Sequence, residues 1–65
     1  MDERIVLKEK LISVGIAHQA ASLISIEAGS SQCVVNNSYL KGLCIEKNTR
    51  KLAMIFINRF YRGEH

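Results

Sequence analysis

The 65-residue sequence contains no proline, so nothing in it forces a helix to break. It also has no apolar run of the roughly 18 residues that a membrane-spanning helix needs. The apolar stretch near its start is interrupted by Lys8, Glu9 and Lys10 and follows the charged Met1-Asp2-Glu3-Arg4, which is not the pattern of a signal peptide. Cytoplasmic residence is therefore expected. Cysteine is limited to Cys33 and Cys44, whose spacing fits neither a zinc site nor a redox motif. Adding His18 and His65 gives scattered soft ligands, so no metal and no cofactor is expected, and the thiols read as small apolar side chains. Each glycine stands alone, which excludes a glycine-rich phosphate loop. Asp2, Glu3 and Glu64 are terminal, while Glu9, Glu27 and Glu46 are far apart, so no acid–base pair is in evidence. A chain this short rarely encloses a ligand-sized pocket. No enzyme and no small-molecule substrate is expected. The sequence shows no internal repeat and no low-complexity tract.

What the sequence does have is a lopsided charge. Residues 1–29 carry Asp2, Glu3, Glu9 and Glu27 against Arg4, Lys8 and Lys10, a net of −1. Residues 30–63 carry Lys41, Lys47, Arg50, Lys51, Arg59 and Arg62 against Glu46, a net of +5; Glu64 brings the whole to +3. Phosphate neutralisation supplies much of nucleic-acid affinity, so a basic half points to double-stranded DNA. A domain of this size buries only about 60% of the surface its unfolded chain exposes. With 48% hydrophobic residues, apolar surface remains for association, and a homo-oligomer, most simply a homodimer, is expected.

The pattern along the chain predicts an all-α fold, a small four-helix domain with a helix-turn-helix-like middle. Gly15, Gly29, Gly42 and Gly63 divide it, each suited to a left-handed position just past a helix end. The first segment, Asp2–Val14, carries Leu7, Leu11 and Val14 at i, i+4, i+7, with Ile5 and Ile12 seven apart. The second, Ile16–Ala28, puts Ala17, Ala20, Ile24 and Ala28 on one face. The third begins at Ser30-Ser31 and reads as a short helix to Leu40. An α+β alternative places a hairpin at about 32–45, turning at Asn36-Asn37. The fourth runs from an Asn48 N-cap to about Arg62, with Leu52, Phe56 and Phe60 at i, i+4, i+8 joined by Ala53 and Ile57. The apolar run Ala53–Ile57 also fits a buried strand, but the length favours a helix.

A helix, a glycine turn and a polar helix entered through serines is the organisation of a helix-turn-helix. With Gly29 at the turn, His18–Ala28 is its first helix and Ser31–Leu40 its recognition helix. The solvent face then presents Ser31, Gln32, Asn36 and Asn37, since Gln and Asn can bond adenine bidentately and Ser can bond phosphate or base. Val34, Val35 and Ser38 face the core, and Tyr39 packs. Lys41, Lys47, Arg50 and Lys51 hold phosphates. Ser25 and Ser30 stand where such motifs usually carry alanine-like or aliphatic residues. Leu52, Phe56, Phe60 and Tyr61 form an interface stripe.

Leu11-Ile12-Ser13-Val14-Gly15, the later Glu27, and Ser31, Val35, Tyr39 and Lys41 together resemble the N-terminal helical region of the C subunit of the bacterial flagellar master transcriptional activator. Ile55–Tyr61 is similar to a later helix of that family. The resemblance covers about half the chain and implies a DNA-contacting regulator that works within an oligomer. The cysteine cluster that binds zinc in that family has no counterpart here. The expected function is thus a transcriptional regulator of helix-turn-helix type, of a size that also fits a mobile element or phage. The alternative is a small adaptor or inhibitor that docks on a larger protein through the Leu52, Phe56, Phe60 face. A membrane-surface helix at 48–62 fits less well, because Asn58 and the modest charge density weaken its amphipathicity.

Overall fold

Asp2 starts the first helix. Its carboxylate accepts the Arg4 backbone N–H at 2.9 Å and pairs with the Arg4 guanidinium at 3.0 Å. Those bonds to Arg4 hold the Asp2 carboxyl below its ordinary pKa of 3.8. The exposed cap is therefore stabilising above that value and is lost as pH falls through the lower, folded one. The computed structural model describes residues 2–29 and 35–63. Among them are four helices and no strand: α1 (Glu3–Ser13), α2 (His18–Ala28), α3 (Asn37–Gly42) and α4 (Lys47–Tyr61). The fold is all-α. No described helix is long and apolar enough to cross a membrane. Because Asn37–Gly42 is helical, the hairpin alternative at 32–45 falls away, and the Ala53–Ile57 run lies within α4.

Each helix contributes one large, fully buried aliphatic side chain to the centre: Leu11 from α1, Ile24 from α2, Leu40 from α3 and Ile57 from α4. Leu7 and Leu11 are the inward stripe of α1, while Ile5 and Ile12 are exposed, so the apolar arc is wider than the neighbouring helices cover. On α2 the inward face is Ala21, Ile24, Ser25 and Ala28. Ala17 is exposed instead, because it is the N-cap rather than a helical residue. Ser25 is tolerated in the core because its hydroxyl donates to the Ser22 carbonyl at 3.0 Å. On α4, Ala53 and Ile57 are fully buried, and α4 packs against α1, α2 and α3.

The two turns that join α1 to α2 and α3 to α4 are the same structure built twice. In the first, the Gly15 N–H donates to the Ile12 carbonyl at 3.0 Å and the Ile16 N–H to the Leu11 carbonyl at 3.2 Å. In the second, the Cys44 N–H donates to the Lys41 carbonyl at 3.0 Å and the Ile45 N–H to the Leu40 carbonyl at 3.3 Å. Both are Schellman C-caps, in which two helix-end carbonyls are satisfied by the residues beyond, and the buried pairs Leu11/Ile16 and Leu40/Ile45 supply the accompanying apolar contact. The correspondence, residue n to n+29, extends to both helix boundaries: Ser13 and Gly42 end the first helices, and His18 and Lys47 start the second. Leu11/Leu40, Ile16/Ile45, Leu23/Leu52 and Ile26/Ile55 are identical pairs. The likeness is one of turn geometry: the other positions of α2 and α4 differ, notably Ala21 against Arg50 and Ile24 against Ala53.

The glycine expectations also divide. Gly15 (φ +103°) and Gly63 (φ +76°) take the left-handed conformation. Gly29 caps α2 with an ordinary right-handed φ of −81°, and its lack of a side chain matters for another reason. A Cβ there would lie 2.5 Å from the Arg4 Cδ, so the glycine makes room for the α1 cap. Gly42 closes α3, and the left-handed residue after it is Cys44, at φ 61°. A β-carbon in that conformation costs about 1–2 kcal/mol. Cys44→Gly should therefore raise stability by about 1 kcal/mol, while Gly15→Ala at the equivalent position should lower it by about 1 kcal/mol. Urea unfolding of both variants checks this, and matching signs would contradict the equivalence of the two turns.

Candidate nucleic-acid interface

Around Gly29 the described residues do not form the expected helix-turn-helix. Eight residues, 29–36, separate α2 from α3, and Val35 and Asn36 are not helical. The recognition helix expected at Ser31–Leu40 is replaced by α3, of six residues, starting at Asn37. The physical reason is the Asn36 side chain, which accepts the Tyr39 backbone N–H at 2.9 Å and so starts the helix there. Ser31, Gln32 and Val34 lie outside the described residues. Val35 is buried as expected, but Ser38 is exposed.

Four-residue connections, short enough for a helix-turn-helix, join α1 to α2 and α3 to α4; the second, Leu43-Cys44-Ile45-Glu46, is the one bordered by Lys41 and Lys47. It leads into α4, one face of which is exposed. This helix is 15 residues long, and at 1.5 Å per residue spans about 22 Å. Its N-cap is Glu46, with no side-chain cap bond, rather than Asn48, which lies one residue inside the helix.

The expected site residues sort clearly. Lys41, Lys47 and Lys51 are exposed, two of them on the first turns of α4 and one on α3 beside the same turn. Arg50 is half-buried and engaged: its Nη1 donates to the Ile45 carbonyl at 2.7 Å and its Nε to the Asn37 Oδ1 at 3.1 Å. Arg50 and Asn37 therefore clamp α3, the second turn and α4 together. Asn36 and Asn37 are exposed, and their side-chain oxygens accept from the Tyr39 N–H and the Arg50 Nε. The interface stripe is also divided. Leu52 and Tyr61 are exposed, whereas Phe56 and Phe60 are half-buried against the core. The Lys10 ammonium sits 5.9 Å from the centroid of the Phe56 ring, and Phe60 meets Tyr61 edge to face at 6.1 Å.

Asn48, Ile55 and Asn58, given no site role from the sequence, complete the outer face of α4. Asn48, Leu52, Ile55 and Arg59 follow one another at i, i+4, i+7 and i+11, all exposed, with Lys47, Lys51 and Asn58 alongside. The whole of α4 holds Lys47, Arg50, Lys51 and Arg59 and no acidic residue. The signal that could have located this face was the match of Leu-Cys-Ile-Glu to Val-Gly-Ile-Ala, obscured by a cysteine in the glycine position.

Among the described residues, cavities flank the helices. One, of about 330 Å³, lies where the two turns meet, lined by Ile16, Ala17 and Ala20 from the first and their equivalents Ile45, Glu46 and Thr49 from the second. Another, of about 220 Å³, lies between α1 and α2 along Ile5, Lys8, Ser22 and Ile26. Among the described residues, no three His, Cys, Asp or Glu side chains gather where they could share a metal ion. Comparison with protein-family models, curated proteins and solved structures finds no match for this chain.

The clamp has a direct consequence. Arg50→Ala leaves the Ile45 carbonyl without its side-chain donor and should cost about 1–2 kcal/mol of stability. Lys51→Ala, the adjacent exposed cation, should change stability by less than about 0.5 kcal/mol. Thermal melts of the two variants distinguish them, and equal melting temperatures would remove Arg50 from the clamp.

Proposed function

We propose that the protein is a DNA-binding transcriptional regulator of helix-turn-helix type whose α3–turn–α4 unit meets duplex DNA, with the outer face of α4 toward the major groove. The observation that carries this reading is that face itself: the exposed side of a 15-residue helix that has cations at both ends and no carboxylate. Exposed Lys47 and Lys51, with Lys41 next to the turn, supply the phosphate contacts, and Arg59 supplies one from the far end. Arg50 holds the unit together instead of binding phosphate. The resemblance of Leu11–Gly15 and later residues to the flagellar activator subunit supports the same class of function. A second copy would place two such helices on successive turns of DNA.

An adaptor that docks through Leu52, Phe56 and Phe60 gains little from the geometry, because the two phenylalanines are turned toward the core. Fluorescence anisotropy with a labelled random-sequence duplex at two salt concentrations tests the DNA reading. Binding should weaken steeply with salt. Lys47→Ala combined with Lys51→Ala should weaken it on every sequence and flatten the log–log salt slope by about 2, one for each phosphate that is no longer neutralised. Absence of binding at low salt would overturn the proposal in favour of a protein partner.

A further inference from the structure

The outer face of α4 is not uniformly polar. At 100° per residue, Ile55 points directly away from the midpoint of the buried Ala53 and Ile57, so it is the side chain farthest from the core. It is 48% exposed, and Leu52 beside it is 47% exposed. Asn48 lies on the same line, one turn before Leu52, and Arg59 one turn after Ile55. The centre of the cationic face is therefore a small apolar spot with an amide at one end.

An aliphatic pair at this point fits a partner that is anionic around and apolar in the middle. A protein groove that takes a helix uses apolar anchors repeated along i, i+3/i+4 and i+7. Here the positions that would continue the series are Asn48 and Arg59, so the series stops at two. Duplex DNA matches better. Its phosphate rails flank a major groove in which the thymine C5-methyl is the apolar feature, and adenine next to it offers N6 and N7 to an asparagine. From Asn48 to Ile55 the helix rises about 10.5 Å, which is about three base-pair steps of 3.4 Å.

Resting on the DNA-binding reading above, we infer that Leu52 and Ile55 contact thymine methyl groups and that Asn48 bonds an adjacent adenine, so that α4 selects A·T-rich duplex by direct readout in the major groove. α2 also exposes an aliphatic pair, Leu23 and Ile26, at 48% and 60%. There the neighbouring residues are His18, Gln19, Ser22 and Glu27, without Lys or Arg, so of the two helices α4 combines the apolar pair with a cationic surround.

The test uses three duplexes of equal length at one salt concentration: an alternating A·T duplex, the same duplex with deoxyuridine for thymidine, and a G·C duplex. Uridine removes the methyl group and leaves every hydrogen-bonding edge unchanged. The A·T duplex should bind more tightly than its uridine counterpart by roughly fourfold per methyl buried, on the order of tenfold for two. Leu52→Ala combined with Ile55→Ala should abolish that ratio while leaving the affinity for the uridine duplex and the salt slope unchanged. Asn48→Ala should lower the preference for A·T over G·C by about tenfold. All three substitutions are at exposed positions, and an unchanged melting temperature confirms the fold. Equal wild-type affinity for the thymidine and uridine duplexes, with a normal salt slope, overturns methyl readout alone. A double variant that retains the thymidine preference overturns it as well and assigns the pair to another partner. Failure to bind any duplex overturns this inference together with the DNA-binding reading.

Discussion

The structure depends on a pair of hydrogen bonds that close its two helix ends: Ile16 to the Leu11 carbonyl, and Ile45 to the Leu40 carbonyl. Each places an isoleucine directly over a leucine, and all four side chains are buried. In a chain with no proline, these caps stop α1 and α3 and turn the chain back. Everything downstream follows from them. The turns set where α2 and α4 begin, and those starts set which face of each helix meets the core. For α4, the same registration leaves Asn48, Leu52, Ile55 and Arg59 outermost.

Polar side chains divide between supporting this frame and remaining exposed on it. Asn36 caps α3, Asn37 and Arg50 tie α3 to the second turn and α4, and Asp2 caps α1. Ser25 satisfies itself within its own helix. Lys47, Lys51 and Arg59 are left exposed on α4. The acidic residues of the second half reduce, among those described, to Glu46 at the start of α4, so the helix beyond it presents one sign of charge.

The helices were legible because their cues are local. Asp2 at the start of the first segment, Leu7 and Leu11 at helical spacing, and His18–Ala28 as an alanine-rich element are all visible in the sequence. The start of α3 and the turn after it were not legible, for two reasons. A glycine in a serine-flanked turn outweighed Asn36 as a start signal, although the asparagine captures the Tyr39 N–H and sets the helix. The turn before α4 has a cysteine where glycine is the usual cue. The candidate site was half legible for a related reason: charge marks a cation but says nothing of what already holds it. Lys47 and Lys51 remain exposed, whereas Arg50 has acceptors in the Ile45 carbonyl and the Asn37 amide. Helical spacing alone likewise set Phe56 and Phe60 beside Leu52, although only Leu52 is turned away from the core.

The repeated turn also determines how the chain reaches this state. Each unit closes over a four-residue connection, so α1 meets α2 and α3 meets α4 through partners close in sequence. Loop closure at such distances carries little entropy cost, and domains built this way fold in microseconds to milliseconds. The packing of α1 against α4 is the step that must join distant parts of the chain. The contacts of α4 with α1 and α2 are the ones that tie the two halves together.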